Sequence, residues 1–112
     1  MAEQFSIHPY LNDLLILSET VKQIQKDLGF FSLKIKFTGN KDSAFDELLG
    51  QITPHIKRLM DTDYMKFLSL LYRIDISEKQ LKSIPGIEPE REIAELIIKR
   101  CLQKVVLRKL FS

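Results

Sequence analysis

Arg100, Lys104 and Arg108 recur at intervals of four near the C-terminus. On a helix that spacing aligns them in one row. A row of fixed cations is what a phosphate backbone or a phosphorylated ligand needs. From Leu96 to Ser112 there are five basic side chains and no acidic one. Residues 78–95 offset this with five acids against three bases. Cations near a helix C-terminus also complement its dipole, so a solvated helix end has the same composition. No basic stretch is interleaved with aromatics, and the pI of 8.7 lies below the usual nucleic-acid footprint. Nucleic-acid or phosphate binding through this row is therefore the alternative function, not the leading one.

The remaining reactive types are few. Cys101 lies among Ile97, Ile98, Leu102 and Val105, the setting of a small buried hydrophobe rather than a nucleophile. Arg100 and Lys104 are near it in sequence, but helical geometry turns them away from that apolar stripe. His8 precedes Pro9 and suits a helix start. The run His55-Ile56-Lys57-Arg58 resembles histidine phosphotransfer domains, helical bundles of similar size. That resemblance implies an exposed histidine on a helix, a Lys two residues on, and then a small residue. Lys57 matches, Arg58 stands where the small residue is needed, and Pro54 distorts the backbone just before. A plain surface histidine is the expectation. There is no Glu-x-x-His pair, His-Glu-x-x-His, Cys-x-x-Cys or EF-hand loop, and the four glycines are isolated. No catalytic residue, metal ligand or cofactor is assigned, and an enzyme is the less favoured class.

The elements that must carry these residues are mostly helical. Tyr10, Leu14, Leu17, Val21, Ile24 and Leu28 are spaced 4-3-4-3-4, a seam that predicts a helix from about Pro9 to Leu28. Gly29 suits the left-handed residue past its end, with Phe30 folding back onto Ile24. Phe31 to Phe37 alternates large apolar residues with Ser and Lys, so one short strand at 31–37 is possible. It would need a partner: Ile74–Ser77, a second copy of the chain, or none if it is not a strand. A second helix starts at Asp42 or Ser43, and Pro54 should kink or split it, with Thr53 capping the restart. Asp61-Thr62-Asp63 caps the next helix, whose inward set reads Tyr64, Phe67, Leu68, Leu71 and Ile74. Ser77 and Gln80 form a capping box ahead of a short helix to about Ser83. The last helix opens at Pro89 and runs to about Leu110.

The chain has 112 residues, 45% hydrophobic and 29% charged, with a net charge of +2. That composition builds a core and excludes a disordered tail. The expected fold is mainly α, one domain over 1–112, a helical bundle of about four main helices. A single cysteine and no secretory signal at the N-terminus fit the cytoplasm. No apolar run has the ~18 residues a membrane span needs. Val105, Val106, Leu107, Leu110 and Phe111 make the last turns apolar on several sides. Such a helix is either central to its domain or covered by a partner. The leading function is a non-catalytic interaction module, a homodimer through Leu107, Leu110 and Phe111, with an unidentified protein partner also possible.

Overall fold

The computed structural model describes residues 10, 13–31, 33–84 and 88–111. Five helices carry the fold: α1 Leu14–Gly29, α2 Ala44–Thr62, α3 Tyr64–Ile74, α4 Glu78–Lys82 and α5 Pro89–Phe111. The mainly helical expectation holds. The starts of α2 and α5 fall at the predicted Ser43 and Pro89. Pro9 and His8 lie outside the described residues. Asp13 caps α1 instead, its carboxylate accepting from the Ile16 N–H at 3.1 Å. Asp63 caps α3 through the Lys66 N–H.

The core lies where α5 packs against α1, α2 and α3. Ile93, Ala94, Ile97, Ile98, Cys101, Leu102, Val105 and Val106 are all buried on α5. These adjacent pairs recur every turn, so the helix buries two sides at once. That accounts for its broad apolar circumference down to Val106. From α1 come Leu17, Ile24 and Leu28, and from α2 Leu48, Ile52, Ile56 and Leu59. On α3 the buried set is Phe67, Leu70, Leu71 and Ile74. Tyr64 and Leu68, expected inside, are exposed. The face that wins has spacing i, i+3, i+4, i+7, and Leu70 takes the place that Leu68 was assigned.

Three other expectations are corrected. Gly29 is not a left-handed terminator; it is the last residue of α1, and Phe30 follows with right-handed φ of −64°. Phe30 does not fold back onto Ile24: it is exposed, with the Arg73 guanidinium 3.7 Å from the centre of its ring. Pro54 does not split α2, which runs through it as one element, so Thr53 caps no restarted helix. Proline deprives the Gly50 carbonyl of its N–H donor, but Gly50 and Pro54 are both exposed and water can replace it. Burial of Ile52, Ile56 and Leu59 on the other face holds the helix together.

The possible strand is not one. Residues 33–38 are irregular and pair with no strand among the described residues. Their backbone groups are met by side chains. The Gln25 amide donates to the Leu33 carbonyl at 3.1 Å while its oxygen accepts from the Ile35 N–H. Gln51 does the same for both backbone groups of Lys36, at 2.7 and 2.9 Å. Glu47 accepts from the Thr38 N–H and hydroxyl. Two carboxamides thus stand in for the edge of a neighbouring strand, because each offers one donor and one acceptor. Leu33 and Ile35 pack on the core between these anchors, which is why the alternation exists.

Candidate functional site

The helix predicted to carry the basic row does carry it, and the row is occupied from within. Arg100 donates to Asp75 at 3.0 Å and to the Gln103 side chain at 2.7 Å. Lys104 lies 3.5 Å from an Asp27 oxygen. Arg108 donates to the Gln23 side-chain oxygen Oε1 at 2.6 Å. Asp27 and Gln23 stand one turn apart on α1, as Lys104 and Arg108 do on α5, in reversed order. The two helices therefore run antiparallel, and the row is part of the seam between them.

Asp27 is the centre of that seam. It is 4% exposed, which a carboxylate tolerates only with partners. Besides Lys104 it has Arg73 of α3 at 3.7 Å and the Gln23 amide at 3.0 Å. The Cys101 Sγ lies 3.7 Å from the same oxygen that faces Lys104. Lys104 does not turn away from the cysteine as expected; it curls in to reach the carboxylate, and its stem leaves it 22% exposed. Asp27 and Gln23 went unassigned in the sequence because both sit beside the apolar seam of α1 and look like surface positions. The signal available was their spacing of four and the match to Lys104 and Arg108.

The other reactive groups are disabled by their surroundings. Burial pushes the Cys101 thiol up to about 12, and the Asp27 charge adds to it against Lys104. It stays protonated, and a thiol is a poor nucleophile. His55 is not on the surface: it is 4% exposed. Arg58 donates to its Nδ1 at 2.6 Å, so the ring proton sits on Nε2, which is buried without a hydrogen-bond partner. Burial lowers its pKa first, the Arg58 charge lowers it further, and the nearby Phe31 backbone opposes both. A buried neutral imidazole under a guanidinium has neither the access nor the open flank that phosphotransfer requires. Among the described residues no group of three or more His, Cys, Asp or Glu side chains could hold a metal ion.

The interface residues stand differently. Leu107, Leu110 and Phe111 are 41%, 67% and 83% exposed. Because α1 and α5 are antiparallel, the start of α1 lies at the same end, where Leu14 and Leu15 are also exposed. Beneath them Ile16 and Tyr10 pack against Leu102 and Val106. No described helix is long and apolar enough to cross a membrane. Comparison with protein-family models, with curated proteins and with solved structures finds no match to the chain.

Proposed function

We propose that the protein is a non-catalytic module that associates with a second copy of itself through the end of the α1–α5 pair. The observation that carries this reading is the exposure of Leu107, Leu110 and Phe111 together with Leu14 and Leu15 at one end. Exposed apolar side chains gathered at one end of a helix pair are a usual mark of a contact face. A stable interface takes about 800 Å² from each partner. Three side chains of α5 fall short of that, and the two leucines of α1 extend the face. A two-fold contact is the commonest arrangement and would set α5 against its own copy. The protonated, buried Cys101 and the enclosed His55 favour the non-catalytic half of the reading. The single cysteine also suits a reducing cytoplasm. The basic row gives nucleic-acid binding no such support, since two of its three cations, Lys104 and Arg108, are held by Asp27 and Gln23 in the α1–α5 seam, and Arg100 alone makes no row.

Sedimentation at micromolar concentration tests this. A dimer is expected, and Leu107→Glu with Leu110→Glu should split it without loss of helical signal, because both positions are exposed in the single chain. A single species near 13.1 kDa for the unmutated chain would overturn the reading.

A further inference from the structure

An open cleft of about 620 Å³ lies between α4 and α5, and the described side chains that line it are polar or charged, their carbon stems forming much of its wall. Arg100 and Lys79 face it, with Asp75, Gln80, Gln103 and two serines. What the two glutamines leave free decides its chemistry. Arginine can only donate, so the Gln103 group that meets Arg100 is its carbonyl oxygen. The Gln80 oxygen likewise accepts from the Ser77 N–H at 3.1 Å and from the Ser77 hydroxyl. Both carboxamide oxygens are thus occupied, and both NH₂ groups are left as donors. Lys79 has no ion-pair partner among the described residues, and Arg100 retains unused N–H groups. Against these donors stands one carboxylate, Asp75, whose side chain is 78% exposed. An ion pair that exposed is weakly held, so an arriving anion can displace Asp75 from Arg100 at little cost. Gln103 meanwhile keeps the guanidinium in place.

We infer that the α4–α5 cleft binds a small phosphate-bearing ligand, its phosphate held by Arg100, Lys79 and the amides of Gln80 and Gln103. Guanidinium, ammonium and amide N–H donors lining one cleft suit an oxyanion with several acceptor oxygens. The volume exceeds that of phosphate alone and lies within the range of small-molecule sites. Among the described residues no aromatic side chain lines the cleft, so none of them offers a stacked base a platform there. This site is separate from the apolar end of α5 and does not depend on self-association.

Inorganic phosphate is the probe, followed by backbone amide NMR at constant ionic strength with chloride as reference and acetate as a second anion. Saturable shifts are expected at residues 75–83 and 100–103, with phosphate binding more tightly than acetate. Arg100→Gln should weaken binding at least tenfold, and Lys79→Gln several-fold. Asp75→Asn is the sharper variant. Asp75 holds a left-handed φ of 72°, which Asn also adopts readily, so the turn survives while the competing carboxylate is gone. Binding should tighten several-fold, which a purely structural Asp75 would not produce. Shifts that fail to saturate, that match chloride, or that ignore Arg100→Gln would overturn the inference. Tighter acetate than phosphate binding would overturn the phosphate assignment.

Discussion

The seam around Asp27 and the crossing at 33–38 both place polar groups against a helical core, with opposite chemistry. The seam uses ions: one buried carboxylate faces Lys104 and Arg73. The crossing relies mainly on neutral amides: Gln25 and Gln51 each give one donor and one acceptor to an unpaired backbone, and only its exposed end at Thr38 is met by a carboxylate, Glu47. In the seam, the loss of the Asp27 carboxylate leaves two cations without their shared partner. In the crossing, the loss of one amide strands a single N–H and a single C=O. The ionic arrangement is therefore the more brittle, although it includes fewer groups.

Asp27→Ala should break that asymmetry most visibly. Removing one member of a buried ion pair costs about 3–5 kcal/mol when the other stays buried. Lys104 and Arg73 are part exposed and can swing toward water, so about 2–3 kcal/mol is expected from chemical denaturation. Lys104→Met should cost clearly less, because Arg73 and Gln23 still satisfy Asp27. If the two variants were equal, the carboxylate would not be the centre of the seam.

Gln25→Ala is next, at about 1–2 kcal/mol for two backbone groups that lose partners in a half-buried place. Gln25→Glu sharpens it. The acceptor for the Ile35 N–H survives, whereas the donor to the Leu33 carbonyl becomes a second acceptor. Hydrogen exchange should then show Ile35 protected in Gln25→Glu and unprotected in Gln25→Ala. Equal exchange in both would mean that the amide does not stand in for a strand edge.

How much of this was legible follows from the same contrast. The capping box at Ser77–Gln80, the cap at Asp63, and the helix starts after Ser43 and at Pro89 are local, and residue type with spacing of three or four is enough to read them, although the Ser43 hydroxyl makes no capping bond. Alternation at 31–37 suggests a strand; its real cause is that Leu33 and Ile35 pack on the core while the segment stays irregular. It could not say that the backbone partners would be side chains eight to fifteen residues away. His55 was misplaced because its burial depends on what covers α2, not on its neighbours in sequence. Asp27 and Gln23 were missed for that reason too: a seam between α1 and α5 joins residues about eighty apart. The exposure of Leu107, Leu110 and Phe111 was legible because nothing had to be known about a contact.

His55 belongs with neither region: it is a polar group in the core with only one nitrogen partnered. Its folded pKa lies below the usual 6.5, so above that pH both folded and unfolded rings are neutral and stability is flat. As pH falls below 6.5, the unfolded chain takes up a proton that the folded one resists, and stability is lost. The slope can reach about 1.4 kcal/mol per pH unit for one proton. Denaturation midpoints from pH 7.5 to 5 measure it, and His55→Leu should remove that share of the slope. An unchanged profile in the variant would show that the ring titrates freely.

Ser77→Ala gives the smallest effect and calibrates the others. The Ser77 hydroxyl accepts from the Gln80 N–H at 3.1 Å, and Gln80 returns the bond to the Ser77 N–H. Both groups are exposed, so water replaces whatever is lost. A cap of this kind is worth ~1 kcal/mol. It has the same form as the Gln25 clasp, one side chain meeting backbone groups, but with solvent on hand. A denaturation midpoint that moved as far for Ser77→Ala as for Gln25→Ala would mean that burial adds nothing to the crossing. An unmoved midpoint would mean that α4 does not depend on its cap. Between these limits, the difference between the two variants measures what the core adds to a hydrogen bond of fixed geometry.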